Sequence, residues 1–228
     1  MASAQLALPR LTATHDLLEG AVSKMPRQGR SLASYDRMLA ATRELLVERG
    51  DDDFTLLDVS ERGNVSIGSI YLRFESKDKL LHAVIAQELL DTLQLEAAMH
   101  ERLAKQASGL EEFLTAYISE YSAFLGERAT MLGLIMQKAA SDPAISNPGK
   151  EIAGQSLALA VAGIVKYSDE IKGADTAFKA LVVCQTVFST IARQYGLGTT
   201  GESADPELWT IVRSELAKMM LAYLRDTA

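Results

Sequence analysis

Apolar positions recur at helical spacing along nearly the whole chain, and we see no run of the apolar–polar alternation that builds strands. From Ser34, the positions Met38, Leu39, Thr42, Leu45 and Leu46 mark one helix face, and Gly50 ends that helix. Asp51–Asp53 make a polar turn. Thr55 with Asp58 then forms a capping box for a short helix to about Arg62. Gly63-Asn64 is the next break, since both residues tolerate a left-handed backbone. Ser66 caps a helix to about Leu72, and Ser76 caps a longer one towards Leu103. Ahead of these, residues 1–30 mix Pro, Gly, Ser and charge. They read as a loosely ordered arm with an apolar patch at Leu6–Leu11 and a short helix around Thr14–Val22.

Further along, Ser108 and Glu111 form a second capping box, opening a helix with Phe113, Tyr117, Tyr121 and Phe124. Another helix is expected over Glu127–Ala140, stopping at Ser141-Asp142-Pro143. Asn147-Pro148 starts the next, which runs to near Gly173. Asp175 caps a segment to Tyr195, and Asp205-Pro206 opens a last helix through Leu224. The expected fold is all-α with about nine helices. A three-helix unit with a helix-turn-helix is expected over 31–80, and a larger helical domain over 81–228. The last two helices carry the stripes Phe178, Leu181, Val182, Gln185, Phe188, Ser189, Ala192 and Leu208, Ile211, Val212, Leu216, Met219, Tyr223. These either finish the monomer's own core or pack against a second copy as a four-helix bundle.

Residues Val59–Phe74, VSERGNVSIGSIYLRF, have the layout of two short helices around a tight turn. Such a corner serves packing alone in some all-α proteins and DNA reading in others. Val59 and Val65 can bury on the inner face, while Ser66, Ile67, Ser69 and Arg73 project elsewhere. Thr55, Tyr71 and Lys77 place hydrogen-bond donors at helix ends, which suits phosphate positioning.

Charge complicates this picture. The 228-residue chain has a net charge of −7, and residues 31–80 hold seven Lys/Arg against ten acids, about −3. Phosphate neutralisation usually dominates DNA affinity, so the acidic head counts against a reader. Residues 1–30 are weakly basic. The single cysteine, Cys184, sits in an apolar run, fits a reducing compartment and reads as a buried, inert thiol. No run approaches about 18 apolar residues, so no transmembrane span is expected. The N-terminus lacks the pattern of a secretory signal, which leaves a cytoplasmic protein with no membrane partner. His15, His82 and His100 are scattered and look like surface or helix-face residues, and HExxH, CxxC, GxSxG and P-loop motifs do not occur. No enzyme activity, metal or cofactor is implied.

Over residues 35–84 the order Gly50, Phe54-Thr55, Val59, Val65-Ser66, Gly68-Ser69-Ile70-Tyr71, Phe74, Lys77 and Leu80-Leu81 resembles the DNA-binding domain of the TetR family of bacterial transcriptional repressors. The resemblance implies that Thr55, Tyr71 and Lys77 contact phosphates and that Ser66, Ile67, Ser69 and Arg73 lie at the groove. It also implies a homodimer, joined through the last two helices, on a palindromic double-stranded operator. The sequence departs from the family at Gly63-Asn64, where Ala-Gly is usual, at Ile67, where a basic residue is common, and at Leu72, where His is common. Those departures suggest a more apolar readout, through thymine methyls. Lys24, Arg27 and Arg30 are candidates for a minor-groove arm. The family's other half is an effector pocket for a small apolar or amphipathic ligand. Its expected lining is Phe113, Tyr117, Tyr121, Phe124, Met131, Met136, Phe178, Cys184, Phe188 and Trp209. The function so implied is a ligand-released repressor. The rival is an all-α small-molecule carrier or sensor whose corner no longer reads DNA.

Overall fold

The computed structural model describes residues 11–26, 28–198 and 205–227. The apolar patch expected at Leu6–Leu11 falls almost wholly outside them, as does Arg27 of the candidate arm. The described residues are all-α: α1 Thr12–Ala21, α2 Arg30–Arg49, α3 Leu56–Arg62, α4 Ile67–Tyr71, α5 Lys77–Gln106, α6 Leu110–Ala139, α7 Pro143–Val165, α8 Thr176–Gln194 and α9 Pro206–Arg225. A 3-10 turn at Ser168–Glu170 follows α7. None of these helices is long and apolar enough to cross a membrane.

Two compact units divide the chain. The first comprises residues 1–92 with 134–152, and the second 93–133 with 153–228. A contiguous boundary at residue 80 is therefore corrected, because α5, α6 and α7 each begin in one unit and end in the other.

In the first unit, local side-chain bonds set the helix limits. Gly50 closes α2 at φ 72° with its N–H on the Leu46 carbonyl. Thr55 Oγ accepts the Asp58 N–H, and the Asp58 carboxylate accepts the Thr55 N–H at 2.8 Å, completing the expected box. At the turn between α3 and α4, Asn64 takes the left-handed backbone, φ 47°, whereas Gly63 stays right-handed at φ −81°. Gly63 is required for a different reason: a Cβ there would meet the Arg37 and Val59 carbonyl oxygens at 3.0 and 3.1 Å. Met38, Leu46, Phe54, Val59, Ile70 and Phe74 bury beneath this corner, with Tyr35 stacked on Phe74 at 6.0 Å.

The short helix expected around Thr14–Val22 is present as α1, but it is packed and not part of a loose arm. α1 buries Thr14, Leu17 and Ala21, and the Glu151 carboxylate of α7 caps it from outside. That carboxylate accepts the Ala13 and Thr14 N–H groups at 3.2 and 3.0 Å and the Thr14 hydroxyl at 2.9 Å.

In the second unit, α6 is one helix where two were expected. The break expected before Glu127 does not occur: Gly126 lies mid-helix with the Tyr195 ring packed against it, and a Cβ there would come within 2.7 Å of Tyr195 Cζ. The cap of α6 also differs: the Ser108 N–H and hydroxyl both donate to Glu112 Oε2, at 2.9 and 2.7 Å, instead of pairing with Glu111. α7 begins at Pro143, with Asp142 as its cap accepting the Ala144 N–H. Pro148 therefore lies inside the helix. The caps at Asp175 and Asp205 are as expected. The core is built by Leu103, Leu110, Phe113, Leu114, Ile118 and Ile164 together with Val183, Val187 and Ile191 of α8 and Leu216 and Leu224 of α9.

Replacing Gly63 by Ala forces two backbone carbonyls apart at the α3–α4 turn. Chemical denaturation of Gly63→Ala is expected to show a loss of about 1–3 kcal/mol. An unchanged midpoint would contradict the close approach.

Candidate functional site

The outer surface of the α3–α4 corner is set by what the inner face demands. Ile70 is fully buried and Val65 nearly so, which turns Ser66, Ile67, Gly68 and Tyr71 outward. Ser66 caps α4, accepting the Ser69 N–H at 3.1 Å, and the two hydroxyls bond each other at 2.7 Å. Ile67 is 38% exposed, Tyr71 59% and Leu72 55%. Thr55 is exposed at the start of α3. Six of the seven residues expected to meet DNA thus sit at or near one corner with accessible atoms, Ser69 and Lys77 being half-buried.

The seventh, Arg73, is a correction. It is buried, and its guanidinium donates to the Lys24 carbonyl at 3.2 Å and to the Ser31 carbonyl and hydroxyl at 3.1 and 2.9 Å. The Ser23 N–H donates in turn to the Arg73 carbonyl at 2.8 Å. Arg73 follows Ile70 by three positions, which puts it on the same inward face, so it staples the end of α4 to the segment between α1 and α2.

The other cations of the head are also engaged. Arg37 donates to the Gly63 carbonyl, Arg43 to Glu88 at 2.7 Å, Arg49 to the Asp53 carbonyl and Asp58, and Arg62 to Glu48 and Glu44. Lys79 donates to the Gly20 carbonyl at 2.8 Å. Lys77 donates to the Asp52 carbonyl and lies 4.6 Å from the Phe54 ring centroid. All seven Lys/Arg of residues 31–80 therefore have partners within the first unit. Exposed ion pairs of this kind contribute little to stability and exchange readily.

The second unit holds a different constellation. Glu96 and His100, one turn apart on α5, are both buried. Burial pushes the Glu96 carboxyl up to about 7, against a hydrogen bond from Ser156 and the Arg128 charge that favour its ionised form. Burial, with the Lys166 charge, pulls His100 down to about 4, so its imidazole is neutral at pH 7. Glu96 Oε2 and His100 Nδ1 have no hydrogen-bond partner among the described residues. Around them run the stacked rings of α6: Phe113 on Tyr117 at 6.1 Å, Tyr117 on Tyr121 at 5.3 Å and Tyr121 on Phe124 at 6.3 Å, with His100 5.1 Å from Tyr117. Burial raises the Tyr117, Tyr121 and Cys184 side chains, Cys184 to about 12, so all three stay protonated.

Of the expected pocket lining, Phe113, Tyr117, Tyr121, Met131, Cys184 and Trp209 are buried in this unit and Phe124 is half-buried under the Arg128 guanidinium, 4.4 Å away. Trp209 is fixed through its indole N–H, which donates to Ser122 Oγ at 3.1 Å. Met136, Phe178 and Phe188 are corrections: each is exposed, by 42%, 57% and 40%. Phe178 and Phe188 point out because Ala180, Val183 and Val187 take the core side of α8. Glu96 and His100 were missed. The signal was available, since both interrupt the apolar face that Leu93, Met99 and Leu103 maintain along α5. No cluster of three or more His, Cys, Asp or Glu able to hold a metal occurs among the described residues.

The raised Glu96 carboxyl makes a stability prediction. The folded state holds this proton more tightly than the unfolded chain, so the contribution is present below pH about 4.5 and lost as pH rises through about 7. His100 has the opposite sense, its contribution being present above pH 6.5 and lost as pH falls through about 4. In Glu96→Gln, the unfolding free energy relative to the parent should therefore rise by up to about 3 kcal/mol between pH about 4.5 and 7. Urea titrations at both pH values measure this, and a constant difference would contradict it.

Residues 38–84 match the model of the family described as bacterial regulatory proteins, tetR family. Over 77 residues the chain is 31% identical to the HTH-type transcriptional regulator YvdT of Bacillus subtilis, covering 33% of this chain and 39% of that one. The match thus spans well under half of its relative's length. Among solved structures, a TetR-family transcriptional regulator of Mesorhizobium loti superposes with a TM-score of 0.67 at 16% identity, covering 86% of this chain and 96% of that one. The regulator FadR of Bacillus subtilis, solved in complex with stearoyl-CoA, gives 0.55 at 17%, covering 85% and 99%. At these identities the structures speak to the fold, and the fold agrees along most of the chain. Over 38–84 the helix-turn-helix is thus similar to the tetR family of bacterial regulatory proteins, and the all-α fold agrees with that of those regulators along most of the chain.

Proposed function

We propose that the chain is a ligand-responsive, homodimeric transcriptional repressor of the cytoplasm, released from a palindromic operator by a small apolar or amphipathic effector. The observation that carries this is the α3–α4 corner, which buries Val59, Val65 and Ile70 and leaves Ser66, Ile67 and Tyr71 accessible on its outer surface. Tyr71, with Thr55 and Lys77, supplies phosphate contacts, and the α4 surface enters the major groove. Support for a second copy comes from α8 and α9. Phe178, Phe188, Leu208, Ile211 and Met219 are all at least 40% exposed, a set of large apolar side chains that water rarely faces in a monomer. Packing them against a symmetry mate gives the four-helix interface.

The effector site is the aromatic and polar interior of the second unit. Glu96 and His100 offer unpartnered hydrogen-bonding atoms among Tyr117, Tyr121 and Phe113, the mixture of apolar wall and few polar groups that orients a small ligand. FadR carries stearoyl-CoA in its own complex, and an acyl chain is one ligand such walls would take here. Because α5 bears Glu96 and His100 and continues back to Lys77 beside the corner, a ligand that shifts α5 changes the spacing of two heads. Heads about 34–36 Å apart fit successive major grooves, and a ligand lowers affinity by its differential binding to the two spacings. The carrier reading draws on the internally paired cations of the head, and it predicts DNA binding without sequence preference.

Random-site selection on the full chain, followed by fluorescence anisotropy against excess non-specific DNA, tests the proposal. A palindromic site should be enriched, and Tyr71→Ala should weaken binding to it about tenfold while leaving the melting temperature unchanged, since Tyr71 is exposed. Failure to enrich any site would favour the carrier.

A further inference from the structure

We infer that the head selects thymine through its C5 methyl group, with Ile67 as the side chain that contacts it. This rests on the DNA-reading proposal above.

The first ground is what the head does not offer. Guanine is read in the major groove by a cation that reaches its N7 and O6 acceptors. Arg73 lies on α4's inward side and spends its fork on Lys24 and Ser31. Arg62 lies on α3, paired at the surface with Glu48 at 2.7 Å, and Lys77 lies beyond α4, donating to the Asp52 carbonyl, so neither is carried by the α4 surface. No described residue from Ser66 to Ser76 other than Arg73 is a cation.

The second ground is what α4 does present. Ile67 opens the helix, 38% exposed, with Gly68 beside it adding no side chain to hold a base at a distance. Ser66 and Ser69 flank it, and their hydroxyls are bonded to each other. An isoleucine set against a G·C edge desolvates acceptors and an amino group and returns no hydrogen bond, which is unfavourable. Against thymine it covers a methyl group that is otherwise in water, which is favourable. Both effects select the same base.

The test uses the site enriched from random duplexes. Each thymine in turn is replaced by deoxyuridine, which removes only the methyl, and binding is measured for the parent and for Ile67→Ala. Because Ile67 is surface-exposed, the variant keeps its fold. The inference expects one or two positions per half-site where demethylation weakens the parent about fourfold, the worth of one buried methyl, and where Ile67→Ala shows no such sensitivity. It is overturned if no thymine is sensitive, if the sensitivity persists in Ile67→Ala, or if replacing a guanine by 7-deazaguanine costs more than any demethylation. If no site is enriched at all, DNA reading itself fails, and the inference falls with it.

Discussion

The buried Arg73 guanidinium is the interaction on which the head depends. It sits at the end of α4, and its bonds to Lys24 and Ser31 tie together three stretches: the end of the reading helix, the entry to α2 and the segment following α1. A buried guanidinium is costly unless its donors are satisfied; here two carbonyls and a hydroxyl take its terminal N–H groups, without a compensating carboxylate, while Nε is left unpartnered among the described residues. The net positive charge that results is internal. It orders the segment before α2 and is not offered to a ligand. The same economy applies across the head, where each cation of residues 31–80 is held by a carbonyl or carboxylate of the unit. A formal charge of about −3 therefore understates how neutral the exposed corner is, because what faces outward is mainly isoleucine, tyrosine, leucine and serine.

The second unit runs on the opposite principle. There burial disfavours charge. It pushes the Glu96 carboxyl up to about 7, keeps His100 neutral and keeps the tyrosines and Cys184 protonated. An interior of few polar groups among stacked rings can accept an apolar body and still orient it. The unpartnered Glu96 Oε2 and His100 Nδ1 weaken the packed state, a cost that a ligand bonding to them would offset. α5 carries both groups, and its first turn follows the reading corner.

Sequence made the local features legible and the tertiary ones much less so. The Thr55–Asp58 box, the Asp175 and Asp205 caps and the Gly50 stop are settled by atoms within a few residues, and each was found in place. The break expected before Glu127 fails because Gly126 answers to the Tyr195 ring, 69 positions away in the chain but in contact with it. Asp142-Pro143 and Asn147-Pro148 are two equal start signals five residues apart, and local pattern could not rank them. Arg73 was legible in principle: Ile70, Arg73 and Phe74 share one face, and two of the three are obligatory core. The polarity of arginine overrode its position. Met136, Phe178 and Phe188 failed for the converse reason, since an apolar side chain was taken to imply an interior.

Hydroxyl-radical footprinting of the full chain on a selected duplex tests the central claim most directly, because it reports the geometry of reading as well as its existence. The account predicts two equivalent protected half-sites on one face of the duplex, about one helical turn apart, symmetric about the centre of the site. A single protected stretch without that symmetry would contradict the paired-head arrangement, and uniform cleavage at saturating protein would contradict DNA reading altogether.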